Sequence, residues 1–395
     1  MQRCDELGAI SDSPDFLMRT FHSPAMARVN QRVGTWMRQA GLEVREDAVF
    51  NIVGRRLAAR RQAKTFLLGS HLDTVRDAGK YDGPLGVLIA LAVVESLRKN
   101  KVDLPFHVEI IGFSDEEGLR YQAGCLGSRA VAGTLTAAEL ARIEESQIVQ
   151  ARRRPSEFLG YAEVHIEQGP VLEQKNLPVG IVKGIVGQSR LRVELLGRAG
   201  HAGTVPMNLR HDALAGAAEF VLAVERAGVT ATVGQLEVQP GASNVIPGRV
   251  SLSLDVRDAS DARRRGVVRA LRTRALAIVR RRGLKLRWTP IQETDAVACD
   301  KMMSRIFSSC VSRRGLDVAK LSSGAGHDAA ALSAICPVAM LFVRCRGGIS
   351  HHPSESVKSA DVKMAINLLA DFIRDLAARQ KHDSIKRRAV RRSSR

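Results

Sequence analysis

Residues 65–99, TFLLGSHLDTVRDAGKYDGPLGVLIALAVVESLRK, decide the fold. The first seven, Thr65–His71, are a short apolar run closed by Gly-Ser-His, which predicts a buried strand. Gly86–Lys99 is apolar almost throughout, so it predicts a helix packed on more than one side. A second apolar run, Phe106–Ser114 (FHVEIIGFS), predicts the next buried strand. Strand, helix and strand at this spacing imply a parallel or mixed sheet covered by helices. Sites in such sheets form just beyond the carboxyl ends of the strands.

Upstream, Ser23-Pro24 reads as a cap and first helical position, opening a helix over Ala25–Ala40. Short strands are expected near Glu43–Arg45 and Asn51–Arg55. From about Gly184 the pattern changes. Ser189–Leu196, Val229–Val238, Arg249–Arg257 and Leu284–Ile291 read as strands. Asn208–Gly228 and Asp261–Arg282 read as helices, the second with Val267, Leu271, Leu276 and Val279 inward and Arg outward. This β-α-β-β-α-β order is a split βαβ unit. Cys299–Gly315 (helix), Val338–Cys345 (strand) and Ser359–Arg379 (helix) then return to α/β. The expected organisation is a discontinuous α/β domain, 1–183 and 294–380, with a mixed, mostly parallel sheet. A βαββαβ (ferredoxin-like) insert occupies 184–293, and a basic, disordered tail 381–395.

The chain has 395 residues, 45% of them hydrophobic, so it can bury a core without disulfide staples. Six scattered cysteines form no C-x-x-C pair, which speaks against a zinc ribbon and for thiols in a reducing cytoplasm. No apolar run approaches a membrane span, and the N-terminal residues lack a signal-peptide core. The formal net charge is +19, but much of the excess lies in the tail and in the Arg-rich stretch 263–287. Aromatics are only 4%, leaving few rings to stack bases, so solvated basic faces are preferred over a nucleic-acid binder.

Four motifs stand where strands end. His71 and Asp73, in Gly69–Thr74, suit a metal-bound imidazole whose far nitrogen is held by a carboxylate, and Asp82 in a Gly-flanked loop can bridge two cations. Ser114–Gly118 (SDEEG) sets carboxylates side by side; one can ligate while its neighbour takes the proton of an attacking water. Val164–Gly169 (VHIEQG) and Gly347–Pro353 (GGISHHP) add further histidines. Singly, each is better read as a turn, an acidic helix start or a hydrogen-bonded structural histidine. Together on one sheet rim they point to a two-metal hydrolase using Zn²⁺, Mn²⁺ or Co²⁺.

GSHLDTV (69–75), DGPLGV (82–87), SDEEGLRY (114–121), HIEQGPVLE (165–173), GRAGHAGTVPM (197–207), NVIPG (244–248), SGAGHDA (323–329) and GGISHHPSE (347–355), in this order, resemble the amidase/hydantoinase/carbamoylase branch of the di-metal aminoacylase and carboxypeptidase clan. Within it the chain is most similar to allantoate amidohydrolases, with N-carbamoyl-L-amino-acid hydrolases and β-ureidopropionases sharing nearly all the motifs. The resemblance implies that His71, Asp82 and His165 hold one divalent ion and Asp82, Glu117 and His351 a second, Mn²⁺ ahead of Zn²⁺ or Co²⁺. Asp73 would orient His71, and Glu116 would be the general base. The insert would be a lid and homodimerisation module whose His201 polarises the scissile carbonyl. Gln168, Asn244, Arg257 and the Gly326 backbone would bind a small ureido acid. His327 and Asp328 stay open between supporting the ligands and packing the loop, and His352 is a bystander. Two rival readings are a metallo-exopeptidase of the same clan and a basic surface binder with a dead site. One departure from the family pattern is Phe50, where relatives tend to carry glycine.

Overall fold

The computed structural model describes residues 1–121, 124–143 and 147–393, with side chains as far as His382. The chain divides into two compact units, Met1–Lys183 with Ala298–Arg395, and Gly184–Val297. In chain order the strands are β1 (Glu43–Glu46), β2 (Ile52–Arg56), β3 (Thr65–His71), β4 (His107–Phe113), β5 (Phe158–Ile166), β6 (Val179–Ile185), β7 (Gly187–Leu196), β8 (Gly200–His201), β9 (Thr230–Thr232), β10 (Leu236–Gln239), β11 (Val245–Ile246), β12 (Arg249–Asp258), β13 (Lys285–Thr294), β14 (Val297–Ala298), β15 (Lys320–Ser323) and β16 (Val338–Val343).

The larger unit is built on a mixed sheet of order β1-β2-β4-β3-β5-β16-β6-β14, with β15 also on β6. Its four central strands, β4, β3, β5 and β16, are parallel; β2 and β6 flank them antiparallel. Every residue of β3, β4 and β16 is buried, as strands covered on both faces require. The helix Pro84–Lys99 is buried on nearly all sides from Pro84 to Leu97. With Pro24–Gln39, Lys301–Arg313 and the closing helix Ser359–Ser393 it forms one apolar core. Ser23 caps Pro24–Gln39 by accepting from Met26 N, and Asp300 caps Lys301–Arg313 in the same way. The closing helix runs past Arg379, and the expectation for the tail 381–395 falls, beyond His382, outside the described side chains.

The smaller unit is a five-stranded antiparallel sheet of order β10-β12-β7-β13, with β9 also on β12. Helices Ala213–Glu225 and Asp261–Arg282 pack on it around Val193, Phe220, Val250 and Leu271. β8 and β11 form a separate two-stranded ribbon. Three expectations are corrected here. The strand over Val229–Val238 is broken into β9 and β10. The first helix starts at Ala213, because Asp212 accepts from Leu214 N and Ala215 N and so caps it there. On Asp261–Arg282, Leu276 is exposed (46%), while Arg264 is fully buried. The inward stripe runs through Arg264, Leu271, Ala275 and Ile278, and Arg264 keeps its place by pairing with Asp261 and Glu293. The chain leaves the large sheet after β6 and rejoins it at β14, and Cys299 N donates to Lys183 O at 2.9 Å across that junction. Among the described residues no helix is long and apolar enough to cross a membrane.

Candidate metal centre

The four parallel strands present their carboxyl ends at one rim. His71 ends β3, His165 stands one residue before the end of β5, and Glu116 and Glu117 follow β4. His351 lies in the loop after β16, and Asp82 in the loop before Pro84–Lys99. That loop can pass His71 only as glycine: Gly83 has φ +80°, and a Cβ there would stand 2.4 Å from the His71 ring. Gly86 lets the helix close onto β5, since a Cβ would meet Val164 O at 2.2 Å.

Asp82 is buried and offers one oxygen to each of two clusters. Its Oδ1 lies 3.1 Å from His165 Nε2 and 3.7 Å from His71 Nε2, and these two nitrogens are 3.4 Å apart. Its Oδ2 lies 3.1 Å from His351 Nε2, which is 3.3 Å from Glu117 Oε1. The far nitrogens of both buried histidines are already engaged. His71 Nδ1 is 3.1 Å from Asp73 O and 3.4 Å from Asp73 Oδ1, and His165 Nδ1 is 3.0 Å from Ile166 O. With the proton held at Nδ1, each Nε2 presents its lone pair to the cluster. Asp82 Oδ1, buried and without a hydrogen-bond partner, is the orphan that a cation would satisfy. Two sets of imidazole and carboxylate donors around a shared carboxylate fit a pair of divalent ions.

Asp73 does more than face His71. Its Oδ1 accepts from Glu116 N (3.0 Å) and its Oδ2 from Glu117 N (3.1 Å), so one carboxylate aligns a histidine and the acidic pair. Burial raises the Glu116 carboxyl well above the usual range; His71 opposes this, and Glu117, Asp328 and Asp73 add to it. Burial likewise pushes Glu117 up to about 7, with His71 opposing and Asp82 adding. Asp82 raises His351 to about 8 against partial burial. Crowded carboxylates of this kind are relieved by bound cations.

Gln168 also belongs to this rim: Nε2 donates to Asp82 Oδ2 at 2.8 Å, and its buried Oε1 has no partner. A Cβ on Gly326 would stand 3.5 Å from Glu116 Oε1, so this backbone runs beside the carboxylate. His327 is buried, with Nε2 2.7 Å from Ser323 Oγ and its ring edge-on to His165 at 4.6 Å, so it backs that residue. His352 is exposed and turns to Ser354. The remaining expected residues lie in the smaller unit. His201 and Asn244 are neighbours on the β8–β11 ribbon, where Ala202 N donates to Asn244 O at 2.9 Å. Arg257 is near the far end of β12, its fork on Asp255 at 3.1 and 2.9 Å. The eight residue-to-residue steps of strand from Arg249 to Arg257 span about 26 Å, so Arg257 and Asn244 stand at opposite ends of β12.

Two residues that hold Asp82 in place escape the sequence reading. Glu355 is buried, and its Oε1 accepts from Tyr81 N (2.8 Å) and Asp82 N (3.0 Å). Ser350 Oγ lies 2.6 Å from Asp82 Oδ2 and 3.2 Å from Glu355 Oε2. Together they hold Asp82. Their signal was the polar run ISHHPSE, whose Ser and Glu carry no ligand spacing of their own.

Residues 67–375 match the model of Peptidase family M20/M25/M40. The chain belongs to this family, in its hydantoinase/carbamoylase branch. It is 39% identical to "Allantoate deiminase 1" of Glycine max, over 95% of this chain and 88% of that one. It is 38% identical to an N-carbamoyl-L-amino acid amidohydrolase of Geobacillus stearothermophilus, over 95% and 97%. A solved amidase of the hydantoinase/carbamoylase family from Burkholderia multivorans superposes with a TM-score of 0.89 at 30% identity, covering 95% of this chain and 96% of that one. Family membership and the paired clusters make the chain a metal-dependent hydrolase of C–N bonds.

Proposed function

We propose that this hydrolase acts on a ureido acid, allantoate first of all, releasing ammonia and carbon dioxide and leaving ureidoglycine. The observation that carries the reading is the pair of clusters meeting at Asp82 with Glu116 beside them. In the proposed arrangement His71, Asp82 and His165 hold one ion and Asp82, Glu117 and His351 the other, Mn²⁺ ahead of Zn²⁺ or Co²⁺. Such ions acidify water and polarise a carbonyl oxygen, which a poorly electrophilic ureido carbon needs. Glu116 takes the proton of the attacking water and hands it to the nitrogen that leaves as ammonia; the carbamate left behind then takes up a proton on its nitrogen and breaks its remaining C–N bond, releasing carbon dioxide and the amine of ureidoglycine. Asp73 fixes both His71 and the backbone of that base. The unpaired Gln168 Oε1 is an acceptor for a ureido N–H.

The smaller unit contributes the remaining groups. Gly203 N donates to His201 Nδ1 at 3.0 Å, which leaves Nε2–H as a donor for the developing oxyanion. Arg257, held in plane by Asp255 through Nε and Nη2, is the planar guanidinium proposed to meet the substrate carboxylate. One small substrate is too short to touch both ends of β12. A homodimer in which one copy supplies Arg257 and the other His201 and Asn244 accounts for that spacing. Six free cysteines fit a reducing cytoplasm.

The test is ammonia release from allantoate by protein stripped with a chelator and resupplied with Mn²⁺. Activity should fall to background on stripping and return with the metal. The similarity to the N-carbamoyl-L-amino acid amidohydrolase supports a second reading. Metal-replete protein inert on allantoate but active on N-carbamoyl amino acids or β-ureidopropionate would establish it, and activity on dipeptides alone would point to an exopeptidase.

A further inference from the structure

Arg19 is fully buried, 52 positions before His71 in the sequence and against the loop that follows it. Among the described residues its guanidinium makes no ion pair. It is engaged by main chain instead: Nε donates to Leu72 O at 3.0 Å, and Nη1 to Leu7 O and Ile10 O at 2.8 and 3.1 Å. The Arg19 backbone bridges to Thr74: Arg19 N donates to Thr74 Oγ1, and Thr74 N to Arg19 O, both at 2.9 Å. Residues 72 and 74 are therefore clamped on either side of Asp73. Burial lowers the guanidinium to about 10, with Asp73 and Asp12 opposing, so it stays charged at neutral pH. A buried cation without a paired anion costs several kcal/mol. Tying down the helix Gln2–Gly8 would not require it, since a neutral donor could reach Leu7 O and Ile10 O.

We infer that Arg19 is a positioning residue for the metal ligands: by fixing the Leu72 carbonyl and Thr74 it sets Asp73 against His71 Nδ1 and against the Glu116 and Glu117 amides. This rests on the reading of His71, Asp82 and their neighbours as ligands. The lever is the loop 71–74, whose other side is held by the bond from Leu72 N to Phe113 O at 2.9 Å. Supporting groups of this kind typically govern metal affinity by about 10–100-fold.

The experiment is a Co²⁺ titration of the full chain followed by visible absorption, which reads the site without turnover. Arg19→Lys keeps the charge, but a single nitrogen does not reproduce a fork on three carbonyls. Its Co²⁺ dissociation constant should rise by about 10–100-fold. Arg264→Lys, at the buried arginine of the other unit, should leave Co²⁺ affinity as in the wild type, separating positioning from general destabilisation. Wild-type affinity in a folded Arg19→Lys overturns the inference. Should Arg19→Lys fail to fold, Thr74→Val removes the Oγ1 acceptor and should weaken Co²⁺ binding several-fold; unchanged affinity there overturns it equally. His71→Ala distinguishes the two levels: if it binds Co²⁺ like the wild type, the ligand assignment fails and takes the role of Arg19 with it, whereas lost binding there beside wild-type affinity in Arg19→Lys overturns the role of Arg19 alone.

Discussion

The smaller unit and the rim of the larger one treat buried charge in opposite ways, although away from that rim the larger unit also pairs buried Glu109 with Arg153 and Asp361 with Arg344. In the smaller unit Arg264 is sealed from water but meets Asp261 at 2.9 Å, Glu293 at 3.2 Å and Asp295 at 3.5 Å. The outer arginines there pair as well, Arg265 with Glu293 and Asp295, and Arg281 and Arg282 with Glu219. In the larger unit Asp82, Asp115, Glu163 and Asp328 are buried near one another, two histidines sit nearly in contact, and Arg19 is given to carbonyls. A scaffold neutralises its charges locally. A site keeps them uncompensated and aimed at one point, because a ligand from outside completes the balance. The comparison teaches where to look for chemistry: not where charges are most numerous, as in the Arg-rich helix, but where buried ones lack their counterpart.

That contrast can be broken by mutation. Glu116→Gln should keep both cations while kcat falls by about 10²–10⁴, the usual worth of a positioned general base. Metal content by elemental analysis beside turnover reads this, and retained turnover would remove Glu116 from the role. His201→Ala asks whether the scaffold unit also serves the reaction. Loss of one oxyanion donor should lower kcat by about 10²–10³, with an unaltered melting curve; a rise in KM alone would make His201 a binding group only. Arg264→Met takes a buried cation from Asp261, Glu293 and Asp295, whose side chains stay 26%, 52% and 67% open to water, and should cost about 1–3 kcal/mol in urea unfolding, with Co²⁺ affinity unmoved. The smallest effect concerns an ion pair at the surface of the larger unit. Partial burial opposes it, but hydrogen bonds from Arg129 and Thr136 hold the Glu139 carboxylate at about 2 against an ordinary 4.5. A depressed carboxylate stabilises the fold above its unfolded value, so this contribution should be whole above pH 4.5 and lost as pH falls toward 2. The pair is partly buried, with 22% and 16% of the two side chains open to water, and solvent screening should leave only a slight shift of the acid-unfolding midpoint in Arg129→Ala.

What was legible depended on range. The ends of β3 and of the helix Asp261–Arg282 follow from local pattern and caps, and coincide with the reading from sequence. The four motifs at strand ends were visible because a ligand set needs particular side chains beside a strand terminus. Glu355 was not, because it acts on Asp82 from 273 positions away. Arg19, 53 positions from Leu72, was hidden in the same way. Leu276 and Arg264 exchanged their expected sides because ion pairing by distant Glu293 makes an arginine acceptable where the periodicity alone wants a leucine. Phe50, marked in the sequence as an unusual replacement for glycine, adopts φ +60° and stacks on His22 at 3.9 Å. The ring contact offsets a left-handed backbone that glycine would adopt freely.

The junction at Lys183 and Cys299 has an architectural consequence. Departure and return occur on strands already joined by a hydrogen bond, so the large sheet needs nothing from the intervening 114 residues to be continuous. A short turn between 183 and 298 would close it, so the insert can be exchanged or lengthened as a cassette while the rim of the parent sheet stays as it is.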